Sequence, residues 1–92
     1  MRVIGGIAKG HPLKAPKGLE TRPTSDRVRE SLFAIMGDRI IGKRVLDLFA
    51  GSGANGIEAL SRGASYCVFV DQNRRSTALI KANLITTKLV DK

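Results

Sequence analysis

The sequence predicts an α/β fold: a parallel strand–helix–strand–helix unit preceded by a helix and a small β-hairpin. Three observations carry this reading. Two short apolar runs, residues 44–50 and 66–70, have the length and composition of buried parallel strands. Between them a glycine-rich turn opens a short helical segment, from about Ala54 to Arg62, that Gly63 closes. After the second run Asn73 can cap a last helix through about Thr87, in which Ala78, Ala82 and Ile85 share a face. Strand, helix, strand and helix joined by tight loops make a right-handed crossover and a parallel sheet.

The front of the chain reads differently. Val3, Ile4, Ile7 and Leu13 are isolated apolar points, punctuated by Gly5, Gly6, Gly10, Pro12, Pro16 and Gly18. A small hairpin follows from that spacing, with Arg2, Lys9, Lys14 and Lys17 projecting and His11 at its tip. After Pro23, Thr24 or Ser25 is a good N-cap, and Asp26 suits the positive end of the helix dipole. Val28, Leu32, Ile35 and Met36 then fall at i, i+4, i+7 and i+8, an apolar stripe on one face, with Arg27, Arg29 and Glu30 off it. Gly37 can end this helix. The chain thus divides into a basic hairpin extension, 1–22, and the first part of an α/β domain, 23–92.

With 92 residues the chain is one small domain, and its core is marginal. Hydrophobic residues make up 42% and charged residues 26%, which is globular rather than disordered composition. The formal charge is +8 and it is uneven: residues 1–44 carry ten basic and four acidic side chains, residues 45–92 six and four. A basic front on a near-neutral remainder is the electrostatic footprint of a polyanion binder. Aromatic residues are 4% and there is no Trp, which argues against extensive base stacking. A single cysteine, Cys67, excludes an internal disulfide, fits a reducing compartment, and sits in an apolar run as a buried structural thiol. No apolar stretch is long enough to span a bilayer, and the first residues lack the core of a signal peptide. A soluble, cytoplasmic protein is expected, with no membrane contact and no metal.

Gly51-Ser52-Gly53-Ala54-Asn55-Gly56 matches G-x-G-x-x-G, follows a strand and opens a helix, and Asp71 stands 20 positions after Gly51 at the tip of the next strand. Glycine lets the backbone turn sharply and a ligand approach without a Cβ in the way. The carboxylate suits a ribose, whose adjacent hydroxyls it can accept together. Asp47 chooses among nucleoside cofactors. A diphosphate seated over this turn would meet that carboxylate at a few ångströms, a repulsion of about 1–4 kcal/mol depending on local dielectric. S-adenosylmethionine carries a sulfonium and an ammonium and no phosphate, so Asp47 attracts it. Asp47 could also simply cap local backbone amides.

The run Val45-Leu-Asp-Leu-Phe-Ala-Gly-Ser-Gly53 resembles the first motif of class I methyltransferases, which have a Rossmann-like fold. Two stretches are more narrowly similar to the bacterial 16S ribosomal RNA guanine-N2 methyltransferases. They are Thr21-Arg-Pro-Thr-Ser-Asp-Arg-Val-Arg-Glu-Ser-Leu-Phe33 and Asp47-Leu-Phe-Ala-Gly-Ser-Gly-Ala-Asn-Gly-Ile-Glu-Ala-Leu-Ser-Arg-Gly-Ala64. The opening Met1-Arg-Val-Ile-Gly-Gly and Leu13-Lys-Ala-Pro-Lys-Gly18 are also similar. The resemblance implies that Asp47, Phe49, Ala50, Gly51, Ser52 and Gly53 line the methionine end of S-adenosylmethionine, that Asp71 holds the ribose, and that Gln72 lies beside the adenine. It implies that residues 22–30 pack over the cofactor and face ribosomal RNA or a small-subunit assembly particle. Arg22, Arg27 and Arg29 would grip phosphate bidentately, and Lys9, Lys14 and Lys17 would add backbone contacts. The alternative for these three arginines is pairing with Asp26 and Glu30 on a solvated helix face.

Two departures from the family stand out. Asn55 occupies a position where a small-to-medium apolar residue is usual. The Asp/Asn-Pro-Pro-Tyr/Phe motif that holds the target amine is not in this sequence, so the 92 residues alone are expected to be inactive. The first strand's exposed edge would invite pairing with another chain or with further strands. Three rival readings remain: a nicotinamide-dependent oxidoreductase, which explains Asp71 but not Asp47; a non-catalytic RNA-binding module; and a methyltransferase acting on DNA or protein.

Overall fold

The structure is a computed structural model that describes residues 2–14, 23–48, 51–71, 74–87 and 89, with the side chains of 23–25 left out. Lys17, Arg22, Phe49, Ala50, Gln72, the cap candidate Asn73 and the side chains of Thr24 and Ser25 lie outside the described residues. In chain order the elements are helix α1 (Pro23–Met36), a 3-10 turn (Gly37–Ile40), strand β1 (Arg44–Asp47), helix α2 (Ala54–Ser61), strand β2 (Tyr66–Phe69) and helix α3 (Arg74–Thr87). The strands pair in parallel, from Arg44 opposite Tyr66 to Asp47 opposite Phe69. This is the parallel α/β unit that the sequence predicts.

α1 begins slightly ahead of the predicted cap. Pro23 takes the first helical position, where its missing N–H forfeits no helix bond. Gly37, at φ +51°, ends it, and the Arg39 guanidinium donates to the carbonyls of Ile35 and Met36 that the helix leaves over. The buried face shares only Met36 with the predicted one. Phe33 and Arg29 point inward, with Met36 and Ile40 continuing the same side, whereas Val28, Leu32 and Ile35 are exposed. Both sets obey a helical period, and the sequence reading chose the one without an arginine in it. α3 is rotated in the same way: Ile80, Asn83 and Thr87 are buried, while Ala78 and Ile85 are exposed.

α2 is buried at every position but Asn55. It lies on one face of the sheet, and Gly56 sets the approach. A Cβ there would stand 2.7 Å from the Cys67 sulfur and would run into the Phe69 ring. Val45, Cys67 and Phe69 turn toward this side. The opposite face, with Leu46, Leu48, Tyr66, Val68 and Val70, is exposed. The expectation of strands buried on both faces is therefore corrected: in these residues one face is covered. A short apolar run signals a strand but does not say how many layers cover it.

Within the described residues 2–14 the N-terminal segment forms a tight loop with one antiparallel bridge, Arg2 to Pro12, in place of a laddered hairpin. Val3 donates to the His11 carbonyl at 3.0 Å, and Gly10 donates to the Val3 carbonyl at 2.9 Å. His11 accordingly sits on the returning limb and not at the tip, with its Nδ1 donating to the Ala8 carbonyl. Val3, Ala8 and Leu13 belong to the same hydrophobic cluster as Phe33, Ile57 and Leu60.

One carboxylate takes the largest share in fastening this segment, beside Ser61, whose carbonyl and hydroxyl accept the N–H groups of Ile7 and Ala8 at 2.8 and 2.9 Å. Glu58, in the middle of α2 and 0% exposed, accepts the N–H groups of Ile4 and Gly5, both at 2.9 Å. It also accepts Arg62 Nε at 2.7 Å and Arg29 Nε at 3.3 Å. Arg29 in turn donates through Nη2 to Asp26 at 2.6 Å and to the Arg2 carbonyl at 2.7 Å. Two arginines and two carboxylates balance, and among the described residues no buried side-chain polar atom lacks a partner. Removing one member leaves an uncompensated buried charge. Glu58→Ala should lower unfolding free energy by about 3–5 kcal/mol; a denaturant midpoint matching the parent protein would contradict this account of the core.

Candidate functional site

The glycine turn lies between two carboxylates, each at the carboxyl end of a parallel strand. Asp47 ends β1, and its Oδ2 accepts the Gly56 N–H at 3.2 Å. α2 starts from Gly53 at φ +83°, a residue with no side chain to cap the helix, so Asp47 provides an acceptor for its first-turn amides. The capping role that the sequence allowed for Asp47 is thus present. Its main-chain carbonyl accepts the Val70 N–H at 2.8 Å, tying the ends of the two strands together.

Asp71 lies just past β2, and its Oδ2 accepts the Gly51 N–H at 2.9 Å. The twenty-residue spacing does what the pattern requires, for it brings the second carboxylate back to the first glycine. Gly51 has φ +55° and Gly53 φ +83°, conformations that side chains rarely adopt. At Gly53 a Cβ would also press on Ile80 at 3.1 Å. Ser52, between them, is buried. Its carbonyl accepts a hydrogen bond from Asn83 Nδ2 at 2.9 Å.

Among the basic candidates, Lys9, Lys14 and Arg27 are exposed. Arg29 is not: at 3% exposure, held by Glu58, Asp26 and the Arg2 carbonyl, it has no surface to offer a phosphate. Its expected RNA contact is corrected to a structural one, with the Asp26 pairing foreseen and the Glu30 pairing replaced by Glu58. Two buried polar residues with long-range partners, one fastening the N-terminal segment and one reaching the glycine turn, escaped the sequence reading. Glu58 is the one charged residue in a helix of mainly apolar and small residues, a signal that a buried cation must come from elsewhere in the chain. Asn83 gave no comparable signal, since a mid-helix Asn is ordinarily solvated.

Among the described residues no cluster of three or more His, Cys, Asp and Glu side chains could hold a metal, and no helix is long and apolar enough to cross a membrane. A cavity of about 220 Å³ opens beside β1, lined by Leu32, Phe33, Met36, Leu46, Asp47 and Asn55 among others.

Parallel strand, bare glycine turn, helix, and a carboxylate on the following strand define an α/β unit of the Rossmann-like class. The chain belongs to the family described as "Conserved hypothetical protein 95", which matches residues 1–92. It is 54% identical over 89 residues to the "Putative rRNA methyltransferase YlbH" of Bacillus subtilis, covering 97% of this chain and 48% of that protein. It is 43% identical over 88 residues to the "Ribosomal RNA small subunit methyltransferase D" of Escherichia coli K12, covering 96% and 44%. In three dimensions it resembles the solved "Putative methyltransferase yhhF from Escherichia coli", with a TM-score of 0.86, 44% identity, and coverage of 98% of this chain and 49% of that one. The family resemblance drawn from the motifs is borne out, and the chain spans about half the length of the relatives it matches.

Cys67 reports on the charge under the turn. Burial first, and the Asp47 carboxylate second, push its thiol up from 9.0 to about 11. Both causes disfavour the thiolate, so between these values the folded chain keeps a proton that the unfolded chain loses, and stability from this group falls as pH rises through that window. Alkylation of the folded protein at pH 8 should run about a hundredfold slower than in denaturant, with its midpoint near 11. A midpoint near 9.0 in the folded protein would contradict this placement of Asp47 and Cys67.

Proposed function

We propose that the chain is the cofactor-binding part of an S-adenosylmethionine-dependent methyltransferase acting on the exocyclic N2 amine of a guanine in small-subunit ribosomal RNA. The observation that carries this reading is the glycine turn held between Asp47 and Asp71. The residues fit the cofactor chemically: two anionic side chains and a bare main chain suit a cationic adenosyl compound and oppose a diphosphate. S-adenosylmethionine, when bound, supplies an electrophilic methyl group on a positively charged sulfur. In this reading Asp47, Phe49, Ala50, Gly51, Ser52 and Gly53 line its methionine end, Asp71 takes the ribose hydroxyls, and Gln72 flanks the adenine.

The acceptor follows from charge and kinship. Lys9, Lys14, Lys17, Arg22 and Arg27 supply phosphate contacts on a front end of net +6. The names of the relatives point to ribosomal RNA, either free or in a small-subunit assembly particle. Guanine N2 rests on the resemblance carried by residues 21–33. The target base is splayed from its stack, and positioning with desolvation provides most of the acceleration. Among the described residues β1 pairs with β2 alone, and its other edge offers a place for self-association or for further strands of a longer sheet. A cytoplasmic location accords with this work.

Calorimetry on the full-length protein tests the reading. S-adenosylhomocysteine should bind and NAD should not, and Asp71→Ala should weaken the former about tenfold or more, the scale of one charge-assisted hydrogen bond. Binding of NAD without S-adenosylhomocysteine would overturn the assignment in favour of an oxidoreductase.

A further inference from the structure

Asn83 joins two places far apart in the sequence. It lies on α3, 1% exposed. Its Oδ1 accepts the Lys14 N–H at 2.8 Å, and its Nδ2 donates to the Lys14 carbonyl at 3.0 Å and to the Ser52 carbonyl at 2.9 Å. Both amide hydrogens are therefore committed, one to each partner. A carboxamide that bonds the N–H and the C=O of one residue acts on it as a neighbouring strand would, and fixes its orientation as well as its place. Because one nitrogen serves both carbonyls, the Lys14 main chain and the middle of the glycine turn are held within about 6 Å of each other.

Lys14 cannot drift from this anchor. Leu13, immediately before it, is buried in the core, while the Lys14 side chain is exposed. The result is a single ammonium projecting from a main chain that is registered on the turn by a buried amide. Lys9, by contrast, sits in the loop that packs at the far end of α2, where Ile7 and Ala8 bond Ser61.

We propose that Asn83 is a positioning residue for the RNA: it holds Lys14 beside the glycine turn so that one phosphate of the bound strand is seated at a fixed distance from the cofactor. This rests on the reading of the turn as a cofactor site and of the basic front as an RNA contact. Asn83 touches neither ligand and acts through Lys14 and Ser52. A purely structural amide would affect stability alone, whereas a positioning amide shapes how the lysine engages phosphate.

The test measures methyl transfer to small-subunit ribosomal RNA by the full-length protein, as KM and kcat over a range of salt concentrations, alongside the Kd of S-adenosylhomocysteine. Lys14→Ala should raise the RNA KM about three- to tenfold and lower the slope of log affinity against log salt by about 0.7–0.9, as for one lost phosphate contact. Lys14→Arg should restore both. Asn83→Ala should raise the RNA KM, and in the Lys14→Ala background it should add less than about twofold, because a residue acting through another has nothing further to remove. Asn83→Asp, which keeps the acceptor for the Lys14 N–H and loses both donors, takes its place if the alanine variant does not fold. An unchanged KM and salt slope in Lys14→Ala, or a full Asn83 effect in the Lys14→Ala background, would overturn the inference. A parent protein that neither binds S-adenosylhomocysteine nor methylates RNA would instead overturn the function proposed above.

Discussion

Glu58 carries the constraint on which the rest of this small fold depends. An anion removed from water is costly unless it is fully compensated, and here compensation comes from four donors on three separate pieces of chain. The N-terminal loop gives two main-chain amides, α1 gives Arg29, and α2 gives Arg62 one turn further on. Loss of any one of these pieces leaves Glu58 short of donors. A domain of this size has little apolar area with which to pin a loop of glycines and isolated aliphatic residues. A polar hub supplies direction as well as attachment, because hydrogen bonds fix orientation where hydrophobic contact does not.

That rigidity matters for the site. The glycine turn is shaped from below by Asp47, at the side by Asp71, and from behind by Asn83, and each contact is made to main chain. The turn is thus set by the scaffold before any ligand arrives. The segment that brings the basic charge is fastened by Glu58 near Ile4, by Ser61 at Ile7 and Ala8, and by Asn83 at Lys14. Negative charge gathers at the turn and positive charge on the segment beside it. On the function proposed above, a cationic cofactor and a polyanionic substrate would be sorted to adjacent surfaces by sign alone.

The order of elements and the paired carboxylates were legible in the sequence because both rest on local rules: apolar runs between turn residues, and a fixed spacing from the first glycine to Asp71. The faces of the helices were not. α1 offers two periodic stripes, and the buried one contains Arg29, which hydrophobic patterning counts as a surface residue. Its local partner Asp26 is visible in the sequence, but the buried partner Glu58 on α2 lies 29 residues away. α3 repeats the lesson with Asn83, whose polar side chain faces inward because main-chain groups of Lys14 and Ser52 await it. Long-range satisfaction of polar groups leaves no periodic trace.

If Glu58 and Asn83 make the N-terminal segment and the glycine turn one cooperative body, native-state hydrogen exchange will show it directly. The amides of Ile4, Gly5 and Lys14, each donated to a side chain of the helices, should be protected to within about tenfold of the Ile57 amide in the first turn of α2. Exchange at Ile4, Gly5 and Lys14 several orders of magnitude faster, with Ile57 still protected, would mean that the segment opens by itself and that the account is wrong.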